Sequence, residues 1–186
     1  MDKAARSFPA GAPVFSCLIP VRWGDMDAFG HVNNTLYLRY IEEARFQWMA
    51  SKGVPIGGES YPVVVTIGCT FLRPVFYPDS LRIDCYIAEP GRSSFMAYYR
   101  IYTAAQPDEP TAESYSKIVW VSTETSKSVP MPAEVRAWFS YRWMVVKSGS
   151  VARPTSLPVL RRWLIPWHLP LYSRQCESYR AVDPHQ

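Results

Sequence analysis

What this chain lacks narrows it before any motif is weighed. Cys17, Cys69, Cys85 and Cys176 include no C-x-x-C pair. Neither a metal site nor a disulfide framework is expected, and a reducing compartment is the simplest setting. No apolar run approaches the roughly 20 residues of a membrane-spanning helix. The N-terminus, MDKAARSFPAGAP, lacks the apolar core of a secretory signal. It carries two basic residues and one acidic residue, which leaves a weak targeting role open. The expected location is therefore the cytoplasm or an organelle matrix. There is no internal repeat, no glycine-rich phosphate loop and no G-x-S-x-G nucleophile elbow. No nucleic-acid partner is indicated.

A length of 186 residues suits one domain plus a tail, and an aromatic content of 15% suits a sheet packed on a helix. Charge divides the chain. Residues 1–142 hold 14 Lys+Arg and 14 Asp+Glu, so they sum to zero. Residues 143–186 hold Lys147, Arg153, Arg161, Arg162, Arg174 and Arg180 against Glu177 and Asp183, and so carry the whole net charge of +4. Pro154, Pro158, Pro166, Pro170 and Pro184 break regular structure in this tail. Its centre, Val159 to Tyr172, mixes basic and aromatic residues. That pattern fits a weak contact with a membrane surface or with the phosphates of a ligand. The competing reading is an appendage with no chemistry.

The richest stretch is Val21 to Trp48, VRWGDMDAFGHVNNTLYLRYIEEARFQW. It runs from a strand end, through a loop holding Asp25, Asp27 and His31, into a long helix. Asn33 or Asn34 is a good N-cap. Tyr37, Tyr40, Ile41, Ala44 and Trp48 recur at spacings of three and four, which predicts one apolar face over a helix from about Thr35 to Ser51. Arg39 with Glu43, and Glu42 with Arg45, are placed to pair on its exposed side. Gly53 and Pro55 end it. The loop thus delivers two carboxylates and an imidazole to the positive end of a helix dipole, where unpaired N–H groups point outward. A base beside such an oxyanion site is the minimum equipment for acyl transfer.

Strand-like segments flank this unit. Pro13 to Arg22 precedes it; Pro62 to Phe76, Leu81 to Glu89, Ser93 to Thr103 and Thr111 to Thr123 follow, each rich in β-branched and aromatic residues and separated by turn signals. The expectation is an α+β arrangement, with a long central helix wrapped by an antiparallel sheet whose last four strands form a meander. Pro130 to Tyr141 reads as a short closing helix.

The W-G-D-M-D-x-x-G-H-V-N-N loop, the Tyr37 and Tyr40 spacing and the Glu42-Glu43-Ala44-Arg45 run resemble a hotdog-fold acyl-CoA thioesterase. The likeness is to the 4-hydroxybenzoyl-CoA thioesterase type and its long-chain acyl-CoA relatives. It covers residues 13–142, leaving 1–12 as an N-terminal extension and 143–186 as the tail. It implies that two subunits pair edge to edge, as a homodimer or homotetramer, with the active site between them. It places Asp27 at the catalytic carboxylate, as nucleophile or general base. The backbone N–H of Asn34 falls at the group that polarises the thioester carbonyl. His31, in the same turn, would orient the thioester or the water. Asn33 adds a side-chain donor, and Phe29 and Tyr37 are candidates to contact the acyl group. No cofactor is implied, since CoA is part of the substrate.

Plainer readings stand beside these. Asp-x-Asp in a loop is often turn chemistry, but Asp27 lies too far before Asn33 for a simple cap. Asp25 reads as structural, bonding loop amides. His31 divides between an active-site orienter and a satisfied loop histidine. Tyr37, Tyr40 and Trp48 read as core, and Glu42 and Glu43 as a solvated face, with Glu43 also able to meet a partner subunit. Two other function classes compete: a hotdog enoyl-CoA hydratase, whose G-D-x-N-P-x-H arrangement is missing here, and a non-catalytic acyl-binding module.

Overall fold

The computed structural model describes residues 8–54 and 58–139. The proposed tail, 143–186, and its membrane or phosphate contact lie outside these residues. Strand β1 is Phe15–Pro20. A 3-10 turn, Trp23–Asp25, and the loop follow, then α1, Asn34–Ser51. Strands β2 (Ser60–Phe71), β3 (Ser80–Ala88), β4 (Ser94–Thr103) and β5 (Ala112–Ser122) complete the sheet. Residues 133–139 form a last helical segment, α2, inside the range expected for a closing helix.

The helix forms as its pattern dictates. Asn33 is the N-cap, its side chain accepting from the Thr35 N–H. At the other end Gly53, with φ of +70°, takes the left-handed conformation that terminates a helix at little steric cost. Tyr37, Tyr40, Ile41, Ala44 and Trp48 are all buried. They face Ile83, Cys85, Phe95, Tyr99, Ile101, Ile118 and Trp120 in one continuous core with the sheet. Trp48 meets Phe95 edge-on and Trp138 of α2 at 5.0 Å, so α2 closes the open end of that core. On the exposed side Arg39 pairs with Glu42 rather than Glu43, at 3.9 Å. Glu43 instead accepts from Gln47 one turn on, at 2.8 Å.

The sheet is antiparallel throughout, but its order is β1-β3-β4-β5-β2. Only β3, β4 and β5 form the expected meander. β2 pairs with β5, not with β3. The strand also ends at Phe71, short of the Phe76 expected from composition. The cause is local. The N–H groups of Leu72 and Arg73 both donate to the Thr111 carbonyl, and the Arg73 guanidinium bonds the Pro110 carbonyl. These bonds fix the end of β2 at the entrance to β5. Residues 72–79 must then cross to the far side of the sheet, and Pro74 cannot donate to a ladder. Within this crossover Val75 is buried, while Leu72, Phe76 and Tyr77 are exposed.

Candidate active site

The loop between the 3-10 turn and α1 is a small hairpin. Met26 and Val32 pair across it, the Asp27 N–H donates to the His31 carbonyl at 2.9 Å, and the Gly30 N–H returns to the Asp27 carbonyl. Gly30 has φ of +79°, a value the turn needs and a side chain would strain. The Val32 N–H donates to the Val75 carbonyl at 2.8 Å, which ties the hairpin to the crossover. The Asn33 N–H donates to the Asp25 carbonyl, which ties it to the 3-10 turn.

This folding sets Asp27 and His31 opposite each other. One carboxylate oxygen of Asp27 accepts from the Phe29 N–H at 2.8 Å. The other stands 3.6 Å from Nδ1 of His31, and both side chains remain partly exposed. The hydrogen bond fixes the carboxylate's orientation and leaves its second oxygen for chemistry. Phe29 is 86% exposed and stacks on the His31 ring at 6.2 Å.

At the start of α1, the Asn33 side-chain oxygen is committed to the N–H and hydroxyl of Thr35. The Leu36 N–H is taken by the Asn33 carbonyl. The Asn34 N–H, first in the helix, has no acceptor among the described residues. It is therefore the orphan donor at the positive end of the dipole. Tyr37 is buried, with its ring edge-on to Phe71 at 5.0 Å. Burial pushes its phenol up to about 12, so it stays neutral at neutral pH. Tyr37 thus stands under Phe71, at the start of the exposed apolar run that continues through Leu72, Phe76 and Tyr77.

Asp25 does more than bond loop amides. Its carboxylate accepts from the Arg22 N–H at 2.9 Å and from the Tyr40 hydroxyl at 2.5 Å. The Tyr40 contact was not legible in the sequence, where helical spacing places the ring in the core and is silent on its hydroxyl. Asp25 and Tyr40 also border a cleft of about 400 Å³ between α1 and β1, walled by Ile19, Leu36 and Phe46, with Arg22 and Arg39 on its rim. Asp27 does not line this cleft. Among the described residues no cluster of His, Cys, Asp or Glu is arranged to hold a metal. Cys17, Cys69 and Cys85 are free thiols, and burial pushes those of Cys17 and Cys69 up to about 11, which leaves them poor nucleophiles at neutral pH. No helix of the described residues is long and apolar enough to cross a membrane.

Residues 21–139 match the family described as the thioesterase-like superfamily. This chain belongs to the thioesterase-like superfamily. Its hotdog arrangement, one long helix against a five-stranded antiparallel sheet, is that of its structural neighbours. The thioesterase-like chain is 28% identical over 128 residues to the long-chain acyl-CoA thioesterase FadM of Escherichia coli, covering 63% of this chain and 91% of that protein. It is 26% identical over 130 residues to a 1,4-dihydroxy-2-naphthoyl-CoA hydrolase of Microcystis aeruginosa, covering 67% of this chain and 92% of the relative. Among solved structures, the PA2801 protein of Pseudomonas aeruginosa superposes with a TM-score of 0.66 at 39% identity, covering 68% of this chain and 98% of that one. Membership makes this chain a thioester hydrolase.

Proposed function

We propose that this chain hydrolyses fatty or aryl acyl-CoA thioesters to free acid and CoA. One observation carries the reading. A carboxylate with one oxygen held and the other turned to an imidazole lies in a hairpin that leads directly into α1, whose first N–H, that of Asn34, has no acceptor among the described residues.

In the general-base route, Asp27 takes a proton from water as its oxygen attacks the thioester carbon. The charge that develops on the carbonyl oxygen is met by the Asn34 N–H and the helix dipole. Collapse breaks the C–S bond, and the CoA thiolate takes up a proton. In the nucleophilic route, the Asp27 carboxylate attacks the same carbon and expels the thiolate, and water then hydrolyses the mixed anhydride. His31, 3.6 Å from Asp27, orients either the water or the thioester. Phe29, Asn33 and Tyr37 are the candidates to contact the acyl group. The edge strand β2, with Tyr61 and Val65 exposed, is the surface for pairing with a second copy. The long-chain and the naphthoyl relatives together favour a thioesterase over a hydratase.

The test is thiol release from a panel of short-chain, long-chain and aryl acyl-CoA substrates and acyl carriers, with an enoyl-CoA followed in parallel. Thiol release without enoyl-CoA consumption supports the reading. Enoyl-CoA loss without thiol release would overturn it. A single turnover in ¹⁸O water separates the routes, since label enters Asp27 itself only if the carboxylate is the nucleophile.

A further inference from the structure

We infer that Asp25 and Tyr40 are a positioning pair that sets the distance between the Asp27 carboxylate and the Asn34 N–H. The inference rests on the proposed thioesterase reading for its catalytic consequence, though not for its structural one.

Three connections meet at Asp25. Its carboxylate accepts from the Arg22 N–H, which closes the 3-10 turn at the end of β1. Its carbonyl accepts from the N–H of Asn33, the cap of α1, at 3.0 Å. The same carboxylate accepts from the hydroxyl of Tyr40, in the second turn of α1. The residues just before and just after the hairpin are thus held by one residue, Arg22 by its carboxylate and Asn33 by its carbonyl, and that carboxylate is anchored to the helix whose N-terminus completes the site. Asp27 is two residues along the chain from this anchor. Tyr40 itself is buried, and its neighbours Ile41 and Ala44 are sealed against the sheet, so its hydroxyl is delivered from a fixed backbone. Burial and the adjacent carboxylate push its phenol well above the ordinary range, so it donates at every working pH.

The alternative is that Tyr40 only fills space and Asp25 only closes a turn. The two differ in what breaks. Loss of packing would lower stability and leave turnover per folded molecule unchanged. Loss of a positioning bond leaves the fold intact and misplaces the carboxylate, and displacements of about 1 Å at a reacting group cost up to about 10²-fold in rate.

The variants are Tyr40→Phe, Asp25→Asn and the double variant, each in the full chain. Tyr40→Phe removes one hydroxyl and keeps the ring. It should lower kcat about tenfold with KM held within about twofold, and the double variant should lose little more than the worse single one, because the residues act as a unit. Hydrogen exchange of the peptide spanning residues 24–36 should quicken in Tyr40→Phe, while exchange in β3 and β4 stays as in the parent. Unchanged exchange in 24–36, or kcat losses that multiply in the double variant, would overturn the pair. A parent protein inactive on every thioester, with exchange quickened as expected, would sink the thioesterase reading and uphold the structural coupling.

Discussion

Replacing Asn34 by proline tests the oxyanion donor with little collateral damage. Proline lacks the N–H and adds a ring, and in most helix positions it would break the ladder. Asn34 is the first residue of α1, where a helix has no internal partner for the N–H and proline is favoured. The residue before a proline must be extended, and Asn33 already has ψ of 134°. The bonds that secure the helix start, from the Thr35 N–H to the Asn33 side chain and from the Leu36 N–H to the Asn33 carbonyl, do not involve the lost group. Removing one preorganised oxyanion donor costs about 10²–10³ in kcat, or about 2.7–4 kcal/mol of transition-state stabilisation. Asn34→Pro should therefore lose that factor in thiol release while melting within a few degrees of the parent. Asn34→Ala keeps the N–H and should lose less than about threefold. Equal losses in the two variants would refute the reasoning, because they would put the polarising group on the side chain.

Asp27→Asn keeps the acceptor for the Phe29 N–H and removes the charge, so kcat should fall by about two orders of magnitude or more without loss of fold; near-normal turnover would remove Asp27 from the mechanism. The thiols of Cys17 and Cys69 are raised from 9.0 to about 11, so their contribution to stability is whole below about pH 9 and is lost as pH climbs toward about 11. Melting temperature should fall over that window, and less steeply in Cys69→Ser; identical slopes would contradict the assignment. A chain ending at Tyr141 keeps α1, the sheet and α2, and should stay folded and active on short-chain thioesters. Insoluble or inactive protein would show that the domain boundary at 142 is misplaced.

Much of this was legible in the residues, for reasons that differ by element. The bounds of α1 were readable because a cap, a periodic apolar face and a terminating glycine agree within one segment. The five strands were visible in composition, but β2's neighbour was not. Pairing β2 with β5 is decided by the contacts of Leu72 and Arg73 with the remote segment at Pro110 and Thr111, and such long-range bonds leave no local pattern. Asp27, His31 and Asn33 sit in one contiguous motif, so the short loop that brings Asp27 to His31 was legible as a unit. Val75 was missed because it lies in a run that reads as strand, and only the tertiary bond from Val32 gives it a part. The bond from Tyr40 to Asp25 was not legible because periodicity registers a ring and not the hydroxyl it carries.

The bond from Val32 to Val75 has a consequence for how such a site diversifies. The crossover turns one residue inward as an anchor and leaves its neighbours Phe76 and Tyr77 facing out beside the hairpin. Substitutions at the outward positions leave the bond that ties down the hairpin untouched, because it runs through the Val75 carbonyl and not through a side chain. Backbone placement and surface character are thus separable at adjacent residues of one short segment.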